Sequence, residues 1–87
     1  MGQPIACLGD TSSHGGQIVT ASGTFSVMGR PVARVSDRFD CPKHGRQTIV
    51  SGSSTHMDEG KSVAHVGSQV SCGAVITSGN ANFTVGD

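Results

Sequence analysis

The sequence predicts an all-β fold: a small, compact pseudo-threefold domain of short strands, built from three internal repeats and stapled by one metal ion. Three observations carry this expectation. The 87 residues are dominated by valine, isoleucine, serine, threonine and 13 glycines, with one leucine and neither Trp nor Tyr, a composition of strands and turns rather than helices. One ten-residue unit recurs three times. And one position of that unit, four residues beyond its end, carries a histidine or cysteine in every copy.

The units are "MGQPIACLGD" (1–10), "MGRPVARVSD" (28–37) and "EGKSVAHVGS" (59–68), which align without a gap. They divide the chain into repeats of approximately 1–27, 28–58 and 59–87 within a single domain. Each runs on to a ligand-type residue in "LGDTSSH", "VSDRFDC" and "VGSQVSC", which sets His14, Cys41 and Cys72 in one register. Beyond it the copies agree again. Ile18, Ile49 and Ile76 share one position, and Phe25, His56 and Phe83 share another. Such periodicity marks units too small to bury an apolar face alone, so the copies are expected to surround a common axis.

The strand candidates follow in order as "QIVTAS", "FSV", "PVARV", "TIVSG" and "VITSG", β-branched or alternating and broken by Gly, Ser and Asn. Asp10, Asp37 and Ser68, each four residues before a ligand, read as turn formers that bond nearby backbone. Cys7, Arg34 and His65 form another positional class. Here Cys7 reads as a small buried residue, and Arg34 and His65 as surface groups on a face that meets a partner.

Equivalent side chains near an axis converge, so His14, Cys41 and Cys72 would form a triangle. The ligand spacing is 27 residues in the first interval and 31 in the second. The four extra residues, "PKHG" or their neighbours, bring in His44, which could cap the triangle. Two thiolates and two imidazoles complete a tetrahedron of the kind zinc accepts, and four protein ligands make that site structural rather than catalytic. Iron accepts the same donors. A chain with 34% apolar residues is near the size where core burial alone is marginal, which gives a metal staple a clear purpose.

Formal net charge is zero, and the cations are scattered, which excludes a nucleic-acid interface built on a basic face. No apolar run approaches membrane-spanning length, so stable membrane insertion is not expected, and no signal-peptide core precedes the first unit.

"PVAR" (31–34), with weaker copies "PIAC" (4–7) and "SVAH" (62–65), together with "GDTSSHGG", "CPKHG" and "SCG", resembles the PAAR-repeat family over essentially the whole chain. The resemblance implies a non-enzymatic cone that caps and sharpens the trimeric VgrG-type spike of a bacterial type VI secretion system, one monomer per trimer. It also implies zinc near the point, a part in membrane puncture, and effectors or adaptors as further partners. The chain would reside in the bacterial cytoplasm before firing and then be exported without a cleaved signal peptide. Larger relatives carry toxin domains, and the expectation here is a bare tip without one. Family zinc sites use three histidines and one cysteine, whereas the register here supplies two of each; His56 and His65 are the histidines left to stand in for Cys41. The competing expectation is a small zinc-dependent hydrolase, with an open metal position and Asp40 or Glu59 as base.

Overall fold

Each aligned unit carries an alanine two residues after its proline or serine, at Ala6, Ala33 and Ala64, and these alanines mark where the three stretches meet. The structure, a computed structural model, describes residues 2–53, 56–58 and 60–86. Ala33 N donates to Ala6 O (2.9 Å), Ala64 N donates to Ala33 O (2.9 Å), and Ala6 N donates to Ala64 O (3.0 Å), a closed ring of backbone hydrogen bonds. The residues on either side continue it through the bridges Ile5–His65, Cys7–Val32 and Arg34–Val63. All three alanines are fully buried. Where three backbones approach this closely, a methyl group fills the space that close packing leaves.

Around this ring the described residues form nine short strands and no helix: β1 (Gly2–Ile5), β2 (Gln17–Ile18), β3 (Ser26–Val27), β4 (Arg30–Pro31), β5 (Arg38–Cys41), β6 (Gly45–Thr48), β7 (Met57–Asp58), β8 (Lys61–Ser62) and β9 (Asn80–Gly86). All pairing is antiparallel. β3 pairs with β4 and β7 with β8 as hairpins, and β1 pairs with β9, so the first and last stretches close on one another. β5 lies between β2 and β6 in the one three-stranded sheet among the described residues.

Strands stay this short because each unit turns back at once. Asp10 N, Asp37 N and Ser68 N donate to the carbonyls of Cys7, Arg34 and His65, three residues earlier. The side chains close the same turns from the other side: Cys7 N donates to Asp10 Oδ2 (2.7 Å), Arg34 N to Asp37 Oδ2 (2.7 Å), and His65 N to Ser68 Oγ (3.0 Å). The third residue of each turn has a left-handed φ, at Gly9 (91°), Ser36 (82°) and Gly67 (99°). Glycine enters that region without strain and serine does not. The turn-forming role read for Asp10, Asp37 and Ser68 is therefore what these residues do.

Two apolar clusters fill the interior. One contains the three alanines with Ile18, Ile49, Ile76, Phe39 and Cys41, and Cys72 packs against it. The other contains Ile5, Val32, Val63, Val27, Val85 and Cys7, with Phe25 and Phe83 at its edge. Cys7 is fully buried as expected; burial and the Asp10 carboxylate push its thiol pKa up, against the opposing charge of Arg30.

Several expectations need correction. "VITSG" forms no strand: Val75 and Ile76 make single bridges, to Gln69 and Ser12. Conversely "RFDC" is strand β5, because its apolar residues alternate inward despite the charges between them. Arg34 is not a surface group. Its side chain is 10% exposed and lies between Asp37 (Nε–Oδ2 3.2 Å) and Asp58 (Nη1–Oδ2 3.5 Å). The cause is Asp58, which takes the register place that Val27 and Val85 fill with apolar side chains in the other copies. A carboxylate there needs a partner, and the guanidinium supplies one, with the Ser22 and Thr24 hydroxyls donating to Asp58 as well.

Candidate metal centre

The three candidate donors of the register come together through the same device in each copy. Ile18 N, Ile49 N and Ile76 N donate to the carbonyls of Asp10, Asp37 and Ser68 (2.9 Å each). This closes a loop that carries the donor residue four positions after its start, so each loop delivers one donor beside the apolar cluster of the buried isoleucines. His14 Nδ1 stands 3.8 Å from both Cys41 Sγ and Cys72 Sγ. All three donor atoms lie within 4.8 Å of one another.

Those separations suit a metal ion. Zinc–sulfur and zinc–nitrogen bonds of about 2.3 and 2.05 Å at a tetrahedral angle place N and S about 3.6 Å apart. Two thiols and an imidazole nitrogen gathered this closely are the soft and borderline donors that zinc accepts. Cys41 ends β5 with its side chain buried, whereas His14 and Cys72 are half-buried. Although burial raises the Cys41 thiol pKa, the backbone N–H groups of Lys43 and His44, the Cys72 thiol and the charge of Lys43 outweigh it, and the net shift is downward. A thiol that ionises readily is a better ligand.

His44 stands in the exposed turn between β5 and β6, outside this triangle. Its ring nevertheless neighbours that of His14, with centroids 5.5 Å apart and planes inclined at 46°. His56 and His65 lie elsewhere. The His56 ring rests edge-on against Phe83 (6.1 Å, 85°), and His65 Nδ1 is 2.7 Å from its neighbour's carbonyl, Val66 O. The histidines that could have replaced Cys41 are thus engaged away from the site, and Cys41 belongs to the triangle.

Gly16 lets the loop of the first copy close beside β5. A Cβ there would stand 2.0 Å from Asp40 O and 2.9 Å from Pro42 Cδ, and its φ is +75°. The register had not singled it out. Next to it an open hollow of about 330 Å³ is lined by Gly16, Gln17, Asp40 and Pro42.

A model of the PAAR motif family matches residues 1–78. The chain belongs to the PAAR-motif family. That family is a structural one, associated with the spike tips of type VI secretion systems, where its members sit on spike proteins. No curated protein gives a significant match to the sequence. For this PAAR-motif chain the donor triangle is compatible with one structural metal ion. No helix among the described residues is long and apolar enough to cross a membrane.

Proposed function

We propose that this chain is the tip of a type VI secretion spike: a pseudo-threefold cone that caps and sharpens a VgrG-type trimer, one monomer per trimer. The observation that carries it is the closed hydrogen-bond ring through Ala6, Ala33 and Ala64. Three successive stretches of one chain wrap a common centre, so a single monomer presents three similar edges to a threefold partner. Residues 1–87 act as one domain in which the repeats 1–27, 28–58 and 59–87 each supply one such edge. Short hairpin edges like those of β3–β4 and β7–β8 are templates for strand addition, a direct way to continue the spike's β-structure.

In this reading His14, Cys41 and Cys72 hold one zinc ion and His44 swings in from its exposed turn as the fourth ligand. A closed tetrahedron leaves no position for water, so the ion is structural and the chain is not an enzyme. The hydrolase alternative is further weakened by β5. Cys41 faces the interior, so its neighbour Asp40 faces outward, on the opposite side of the strand from the triangle. Glu59, the other base considered, lies outside the described residues. The tip resides in the bacterial cytoplasm before firing and leaves with its spike, together with effectors or adaptors.

Mixing the purified chain with its spike trimer at micromolar concentration tests this reading. Light scattering after size exclusion is expected to show one chain per trimer; failure to associate with the spike trimer would overturn it.

A further inference from the structure

Two of the three gathered donors are thiols, and thiols carry redox chemistry that imidazoles lack. Cys41 Sγ and Cys72 Sγ lie within 4.8 Å of one another, and both contact His14 Nδ1. A disulfide closes at about 2.05 Å, so the sulfurs have less than about 3 Å to travel. Their settings differ in a useful way. Cys41 is buried, whereas Cys72 is half-buried and reachable from solvent. Cys72 also sits in a short turn, closed by Gly73 N donating to Val70 O, with open space beside Gly73. The third thiol cannot compete, because Cys7 is fully buried in the other apolar cluster.

We propose that Cys41 and Cys72 are an oxidation site for small disulfide oxidants and close into an intramolecular disulfide. The Cys72 thiolate attacks one sulfur of the oxidant's S–S bond, forming a mixed disulfide and expelling one small thiol. The Cys41 thiolate then attacks the Cys72 sulfur, forming the Cys41–Cys72 bond and expelling the second small thiol. Two electrons pass from the protein to the oxidant, and the two protein protons end on the two released thiols. Disulfide sulfur is a poor ligand, so the reaction removes two donors at once and the ion leaves; this release rests on the metal reading above, whereas the thiol pair does not. The new bond joins the second and third repeats where the ion had joined them, exchanging one staple for another. That exchange suits a chain made in a reducing compartment and delivered into an oxidising one.

The experiment treats the folded chain, purified in reductant and then freed of it, with oxidised glutathione. The reaction is quenched in acid, alkylated under denaturing conditions and mapped by mass spectrometry, while a chromogenic chelator follows released metal. Free thiols are expected to fall from three to one, with Cys41 linked to Cys72 and Cys7 alkylated. In Cys41→Ser the glutathione adduct on Cys72 should persist. A wild-type chain that keeps the adduct on Cys72 with Cys41 alkylated, or that links through Cys7, overturns the proposal. Linkage in a chain that never held an ion supports the pair and overturns the metal reading. An ion that stays bound after linkage is complete overturns the release.

Discussion

The end of the molecule that carries His14, Cys41 and Cys72 and the end that carries Phe25, His56 and Phe83 are made from the same three aligned stretches. They meet the same difficulty, three equivalent side chains brought together, in opposite ways. At one end polar donors converge over Ile18, Ile49 and Ile76. At the other, Phe25 and His56 stand edge-on to Phe83, at 5.7 Å and 77° and at 6.1 Å and 85°. Aromatic edges attract one another and stabilise on contact. Two thiols and an imidazole gain far more from a cation held between them than from one another. The first end should therefore depend on something bound, and the second on burial and aromatic contact.

Removing the metal is the largest expected effect. Structural zinc contributes about 10–16 kcal/mol of apparent folding free energy in small domains, set against a total of roughly 5–15 kcal/mol for a typical protein. Metal analysis of protein purified without added metal should give one zinc per chain. Cys72→Ala or a strong chelator should abolish binding and collapse the thermal transition. Phe83→Ala, at the other end, should cost only about 2 kcal/mol, since Phe83 is half-buried and a fully buried Phe→Ala change costs about 3–5 kcal/mol. A melting temperature indifferent to the chelator would remove the contrast between the ends and leave Cys41 and Cys72 as ordinary core residues.

Gly16→Ala should come next. The new methyl would meet the Asp40 carbonyl and Pro42 on a backbone already at φ +75°, so β2 must move off β5. The expected cost is about 3 kcal/mol by urea denaturation, with metal affinity falling in parallel because His14 and Cys41 lie on the two segments pushed apart.

How much of this was legible in the sequence differs between the two ends. The donor triangle was, because a repeat register is a spatial statement: equivalent positions around a centre converge whatever their residue type. His44 was harder to place, because it lies in the stretch that breaks the register and no equivalent position says where it goes. Arg34 was misplaced because arginine is mostly exposed and nothing in its own unit contradicted that. The contradiction lay 24 residues away, in Asp58 standing where Val27 and Val85 stand. A charged residue in an apolar register position calls for a buried partner of opposite sign. Strand β5 was hidden likewise, since the charges of "RFDC" obscured its alternation.

That pair gives a test of intermediate size. Asp58→Val restores the residue of the other copies yet should destabilise by about 2–4 kcal/mol, because the buried Arg34 guanidinium loses the Asp58 carboxylate. Combining it with Arg34→Leu should recover most of the loss, since a buried ion pair replaced whole by apolar groups is often neutral. Equal additive losses in the double variant would show that Arg34 contributes through contacts other than this pair.

The smallest expected effect has the opposite sign. Of the three equivalent turns, two have glycine at the left-handed position and the middle one has Ser36, held at φ 82°. An L-residue there costs about 1–2 kcal/mol relative to its preferred regions, and glycine gives back part of that through the extra freedom of its unfolded chain, about 0.4–1 kcal/mol. Ser36 is exposed and its backbone N–H already bonds Ile49 O (2.8 Å), as Gly9 and Gly67 bond Ile18 O and Ile76 O, so the substitution removes no buried contact. Ser36→Gly should therefore stabilise the chain by about 0.5–1 kcal/mol, read as a rise in the urea midpoint at unchanged slope and unchanged metal content. Loss of stability instead would mean that the serine hydroxyl holds the middle turn, and that the second copy, already singled out by its insertion and by Asp58, follows different local rules from its neighbours.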